Sequence, residues 1–204
     1  MMTKTQVKIM QMLTANITGS FSLTDISRQL KLQYQAAHRA IKPLVKDRYI
    51  AADNKRYSLN YKMHHQELAY VESLRSKELL QKPRNSTLSL FIADTIKRIK
   101  EDNFILIVFG STVTENKPRD TDILLIVDDI HKTETLEKQL GVIANMFILK
   151  FDIHVISHES VYDMLRDRGE TNLINEVLDK HIITYGAETF YRLLAKGRPY
   201  KNAG

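Results

Sequence analysis

Three aspartates hold the clearest chemical potential in this chain. Asp120 and Asp122 flank a single threonine at the head of the apolar run Ile123-Leu124-Leu125-Ile126-Val127. Asp152 stands in the same place in Phe151-Asp152-Ile153-His154-Val155-Ile156. Strand geometry has a period of two, so Asp120 and Asp122 aim to the same side. Two carboxylates one strand step apart repel unless a cation lies between them. A hard cation such as Mg²⁺ or Mn²⁺ takes oxygen ligands and keeps water and phosphate oxygens in its shell. A third carboxylate on a neighbouring strand, Asp152, allows a second ion. Two ions roughly 3.5–4 Å apart clamp the attacking and leaving oxygens of an in-line phosphoryl displacement. Gly110 and Ser111 follow a further apolar run, Phe104–Phe109. The glycine lets backbone approach a ligand closely, the serine adds a hydroxyl, and amides at a helix start suit a triphosphate. Plainer readings exist for single residues: Asp120 as a turn residue after Pro118, Asp122 as a strand-entry cap. Neither accounts for Asp152. His154, on the strand face of Asp152, reads as a carboxylate's partner rather than a metal ligand.

The elements that must carry these residues alternate. Apolar runs of strand length at 104–109, 123–127 and 151–156, with a shorter one at 182–185, are separated by helical patterns at 86–101, 133–148, 159–167 and 171–180. A last helix is expected over 187–194. Continuous apolar runs indicate strands buried on both faces, and the alternation indicates a mixed α/β sheet flanked by helices.

The first part of the chain has another pattern. Val7, Met10 and Leu13 mark a helix over 3–14. Ser22-Leu23-Thr24-Asp25 has the form of a capping box opening a short helix that buries Leu23, Ile26 and Leu30. A turn at 31–33 leads to a helix over 34–47 with Ala37, Ile41, Leu44 and Val45 inward. Two short strands, 49–51 and 56–59, meet at the tip Asp53-Asn54-Lys55. This order resembles a winged helix-turn-helix over about residues 3–60. The resemblance implies a recognition helix presenting Gln33, Gln35, His38, Arg39, Lys42 and Lys46 to a DNA major groove, with Lys55 and Arg56 at the wing tip. Gln and Arg suit adenine and guanine edges, and Lys suits phosphate. Pro43 lies late in that helix and removes one backbone bond.

Charge follows the same division. Residues 1–82 hold 14 Lys and Arg against 6 Asp and Glu, and residues 83–204 hold 16 against 18, within a net charge of +6 over 204 residues. A basic first half facing a polyanion and a near-neutral second half point to two modules. The expected limits are 1–62 for the winged helix, 63–83 for a linker helix and 84–204 for the α/β part, with the break near Pro83.

The set Gly110, Ser111, Asp120, Asp122 and Asp152 resembles the DNA polymerase beta superfamily of nucleotidyltransferases, in its minimal prokaryotic form, over about residues 86–195. The resemblance implies transfer of a nucleoside monophosphate from an NTP, with ATP the expected donor, to a hydroxyl, releasing pyrophosphate. It implies Asp120 and Asp122 as shared metal ligands and Asp152 as general base or second-metal ligand. Eight residues separate Ser111 from Asp120, slightly fewer than is usual there. Thr121 replaces the commoner apolar residue, and Thr114 stands where many members have Arg; Lys117 or Arg119 is the substitute phosphate cation. The alternative is a transcription regulator whose nucleotidyltransferase fold only binds nucleotide, and a third reading is a scaffold that docks protein through the winged helix. The acceptor is a protein hydroxyl, a small molecule or a nucleic-acid end, and a homodimer suits a palindromic DNA site.

Composition narrows the rest. No cysteine is present, which excludes a disulfide scaffold, a zinc finger and a thiol nucleophile. No apolar run approaches the roughly 20 residues of a membrane span, and the first residues lack a signal core, so a cytoplasmic protein without membrane partners is expected.

Overall fold

A computed structural model describes residues 2–115, 119–166 and 172–197. Lys117 lies outside them. The chain opens with α1 (Lys4–Ala15), started by a reciprocal cap between Thr3 and Gln6 and burying Ile9, Met10 and Leu13. Strand β1 (Ser20–Ser22) leads directly into α2 (Leu23–Gln29). The Ser22–Asp25 capping box is formed: the Ser22 hydroxyl accepts from the Asp25 amide at 3.1 Å, and the Asp25 carboxylate accepts from the Ser22 amide at 3.1 Å. Lys31 turns the chain in the left-handed region, φ 52°, into α3 (Tyr34–Lys46), which buries Ala37, Ile41 and Leu44 around Pro43. Strands β2 (Ile50–Asp53) and β3 (Arg56–Leu59) follow. Asn54 and Lys55, at φ 45° and 62°, form the two-residue turn between them, which requires positive φ at both positions.

β1 was not legible in the sequence, because three residues are too few to show alternation. It pairs antiparallel with β3, giving the order β1-β3-β2. Arg56 fastens this edge, donating from Nε to the Ser20 hydroxyl at 3.2 Å and from its fork to the Ser20 carbonyl. Three helices and a three-stranded wing sheet in this order form a winged helix-turn-helix.

The segment expected to be a linker is α4 (His65–Leu80), and it is a core element. It buries Leu68, Val71 and Leu79 together with Glu72 and Arg75. It packs against α1 and, with its other neighbours still to come in the chain, against the second half. Charged residues in the sequence concealed this, because such residues are almost never fully buried unless paired.

The second half runs α5 (Ser86–Arg98), β4 (Phe104–Phe109), α6 (Ser111–Thr114), β5 (Thr121–Val127), α7 (Thr133–Ala144), β6 (Phe151–Ser157), α8 (His158–Arg166), α9 (Leu173–Asp179), β7 (His181–Tyr185) and α10 (Ala187–Gly197). The strands form one mixed sheet in the order β6-β5-β4-β7, with β5 and β6 parallel and the other pairs antiparallel. Helix α7 supplies the crossover that a parallel pair needs. It ends at Ala144 rather than 148. Phe147 lies beyond it and packs edge-on against Phe91, 5.9 Å between ring centres, while Phe151 stacks on Phe91 at 4.0 Å.

Every residue of β4 is buried, as a strand covered on both faces requires. Leu106, Val108, Ile123, Leu125 and Val127 meet α5 and α7. Ile105, Ile107, Phe109, Leu124 and Ile126 meet α8, α9 and α10 in a cluster that continues without a break through Val71 and Leu68 of α4 to Ile9 and Leu13 of α1. Among the described residues no helix is long and apolar enough to cross a membrane.

Candidate functional site

The three aspartates gather at one end of the mixed sheet. Asp122, the second residue of β5, lies opposite Asp152 in the parallel register with β6 and opposite Phe109 in the antiparallel register with β4. Asp120 is half-buried just before β5. The buried Thr112 donates its hydroxyl to the Asp120 carbonyl at 3.2 Å, which ties α6 to the entry of β5. Thr121 donates its amide to the Lys150 carbonyl at 2.9 Å, which sets the start of the β5–β6 pair.

Gly110 closes β4 at φ 66°, ψ −142°, a conformation close to one that is essentially glycine's alone. A Cβ there would stand 2.2 Å from Asp122 Oδ2, so only a glycine lets that carboxylate lie against the turn. The Gly110 amide donates to the Lys180 carbonyl at 3.2 Å. Helix α6, expected to offer N-terminal amides to a triphosphate, is a single turn of four residues. It therefore has too few aligned peptides for a helix-terminus anion site. Thr114 is exposed and offers a weak 3.5 Å bond to the Ser111 carbonyl.

The electrostatics of this end are those of crowded like charges. The Asp122 carboxyl is pushed above its ordinary value, first by partial burial and then by the charges of Asp120, Asp152 and Glu176, with His154 opposing. Glu176, on α9, is an acidic neighbour that sequence spacing did not reveal; nothing in its local pattern links a helix residue to a distant strand end. Asp152 is exposed, and His154 Nε2 stands 3.6 Å from its Oδ1. A recess of about 500 Å³ opens beside Asp120 and Asp152, lined also by Asn145, Phe147 and Lys150. A larger recess of about 620 Å³, near Arg98, Lys132 and Val142, lies at the opposite end of the strands and holds none of the three aspartates.

All-oxygen donors of this kind suit Mg²⁺ or Mn²⁺ rather than a softer metal. The register brings Asp122 and Asp152 side by side and Asp120 within electrostatic reach. Among the described residues, however, no three carboxylate or imidazole groups close into a ligand cage. The arrangement is an open edge of carboxylates.

The winged helix presents a second surface. Gln35, His38, Arg39 and Lys42 are exposed along α3, and Lys55 is exposed at the wing turn. Arg39 Nε donates to the Gln35 carbonyl at 3.4 Å, which leaves the rest of its fork outward. Arg56 is exposed as well, but its guanidinium is committed to Ser20.

No family model matches the chain, and no curated protein matches it. Among solved structures it is similar to the crystal structure of the Thermotoga maritima IclR, at 18% identity over 52% of this chain and 39% of that one, with a TM-score of 0.28. The likeness thus spans well under half of that chain.

Proposed function

We propose that this protein is a metal-dependent nucleotidyltransferase joined to a DNA-binding winged helix. The observation that carries the first half is the placing of Asp122 beside Asp152 in register, with its carboxylate lying against the glycine turn Gly110-Ser111. In this reading Asp120 and Asp122 hold Mg²⁺ or Mn²⁺, and Asp152 is general base or second ligand. The bound cation would neutralise phosphate charge and stabilise the pyrophosphate that leaves. Gly110 lets the Asp122 carboxylate lie against the turn, and Ser111 offers the triphosphate a hydroxyl. Asp152, exposed toward the recess, takes the proton of an acceptor hydroxyl. The acceptor oxygen bonds the α-phosphorus of the NTP as the bond to the bridging oxygen breaks. ATP is the expected donor, and a hydroxyl on a partner protein is the expected acceptor. The cytoplasm is the compartment that supplies both NTP and Mg²⁺.

The test is label transfer and pyrophosphate release with each of the four NTPs and Mg²⁺, against the wild type and Asp122→Asn. Turnover that needs Mg²⁺ and Asp122 is the expected result. Nucleotide binding without pyrophosphate release is the outcome of the second reading, a regulator that only senses nucleotide. The open ligand set and Thr114 in place of a cation favour that second reading.

The DNA half rests on the exposed polar row Gln35, His38, Arg39 and Lys42 on α3 with Lys55 at the wing, in a module where residues 1–60 hold 10 basic and 3 acidic side chains. Affinity for duplex DNA is expected to fall steeply between low and physiological salt, as phosphate contacts release counterions. Arg39→Ala is expected to relax sequence preference and Lys55→Ala to weaken all duplexes alike. Binding that ignores salt, or no binding to any duplex, removes this half. A homodimer on a palindromic site is the expected form of the complex.

A further inference from the structure

Four consecutive residues, from the last two of α9 to the first of β7, each accept a bond from a distant part of the chain. The Leu178 carbonyl accepts from the Ile17 amide at 3.0 Å. An Asp179 carboxylate oxygen accepts from the Thr18 hydroxyl at 2.5 Å. The Lys180 carbonyl accepts from the Gly110 amide at 3.2 Å. The His181 carbonyl accepts from Arg75 of α4, and His181 lies opposite Phe109 in the β4–β7 register. Three of these bonds therefore come from the α1–β1 connection and α4, and the fourth goes to the glycine turn of the candidate site. That turn has little slack, since a Cβ on Gly110 would meet Asp122 Oδ2 at 2.2 Å. A small movement of the Lys180 carbonyl moves Gly110 and, with it, the room in which Asp122 sits.

We infer that residues 178–181 are a strap through which the N-terminal part of the chain positions the Gly110–Ser111 turn, and that Thr18 and Arg75 are positioning residues for the site. The inference rests on the carboxylate end of the sheet being the site proposed above. The Asp179 bond is charge-assisted and so is the stronger kind. Arg75 acts from a sealed position: its NH1 also holds both oxygens of Glu72, at 2.7 and 2.8 Å, so its fork cannot swing away from the strap without unpairing a buried charge.

The test is amide hydrogen exchange by NMR on the full chain, free of nucleotide and metal. The variants are Thr18→Val, which keeps shape and loses the donor, and Arg75→Lys, which keeps a charge for Glu72 and loses the fork. Lys138→Ala, on α7, is the control. Exchange at Gly110 is expected to rise about fivefold in each strap variant, the equivalent of one modest hydrogen bond, while Ile107 within β4 keeps its wild-type rate. Gly110 exchange that is unchanged, or that rises only in step with Ile107, overturns the strap. Should Arg75→Lys fail to fold, Thr18→Val, altered at an exposed residue, decides alone. Failure of the transferase reading shows separately, as a wild type that transfers no nucleotide whatever Gly110 does.

Discussion

Glu72 and Asp122 serve the same sheet from opposite circumstances. Glu72 is fully buried between α4, β7 and α10, yet its carboxyl is held below its ordinary value. Burial alone pushes it up, but Arg75 donates to both oxygens, Tyr191 donates its hydroxyl at 2.9 Å, and His181 Nε2 stands 3.7 Å away. Asp122 is only partly buried, yet its carboxyl is pushed up, first by that burial and then by charged neighbours that are mostly carboxylates. The accompanying Tyr191 hydroxyl is pushed well above its usual range by burial and by Glu72. Burial pushes both carboxyls up, and the partners decide whether that push is overcome, as at Glu72, or reinforced, as at Asp122. Glu72 arrives with its counter-charges, whereas among the described residues Asp122 faces mostly other carboxylates, with His154 opposing them.

The largest effect expected from this contrast is kinetic. Asp152→Asn keeps size and removes the proposed base, so kcat is expected to fall by roughly a hundred- to ten-thousandfold while nucleotide affinity changes little. Steady-state transfer with calorimetric NTP binding reads both quantities. A variant with wild-type kcat makes Asp152 an ordinary strand residue and removes the functional side of the comparison.

Next comes stability at the sealed end. Arg75→Met leaves Glu72 buried without its main partner and is expected to cost about 3–5 kcal/mol in urea unfolding. The double variant Glu72→Gln, Arg75→Met removes the orphaned charge and is expected to recover most of that loss. A single variant within about 0.5 kcal/mol of wild type, the range of a surface change, contradicts the structural role. Gly110→Ala is smaller, about 1–3 kcal/mol for a non-glycine residue in this backbone region, with weaker Mn²⁺ binding because its Cβ displaces Asp122. Unchanged Mn²⁺ affinity in that variant separates the glycine turn from the carboxylates.

How much of this was readable beforehand follows from the same physics. The Asp122–Asp152 neighbourhood was legible because each aspartate heads an apolar run, and two consecutive strands joined by a helix pair in parallel, which puts their starts at one edge. Gly110 was legible because it ends a six-residue apolar run. The capping box at Ser22 is local chemistry and therefore visible locally. Glu72 and Arg75 were not legible as core residues, since the pattern of a helix records which residues are charged and not which charges find partners from β7 and α10. Helix α7 ends four residues short of the expected 148 because Phe147 is apolar in step with the helix but packs against Phe91 and Phe151 from the following loop. Glu176 and the Lys180 carbonyl depend on long-range placement. A backbone carbonyl leaves no trace in residue type at all.

The smallest effect gives the sharpest contrast, because the two carboxylates respond to pH with opposite signs. For Glu72 the folded value lies below the unfolded one near 4.5, so its contribution is present above that pH and is lost as acid protonates the folded form. For Asp122 the folded value lies above the unfolded one near 3.8. Between those two values the folded chain binds the extra proton, so stability falls as pH rises through the window and the penalty persists at neutral pH. Asp122→Asn removes that penalty. In chelator at about pH 7 it is expected to melt higher than wild type, and the difference is expected to vanish below pH 3.8, where the aspartate is protonated folded or unfolded. Saturating Mg²⁺ is expected to reverse the order at neutral pH, since a ligand that binds only the folded wild type adds stability by mass action and the amide variant binds it less well. Thermal melts of both proteins across pH, with chelator and with Mg²⁺, read all three expectations. A variant less stable than wild type in chelator would show that Asp122 has a partner inside the chain, as Glu72 does, and the edge would then have no need of a cation.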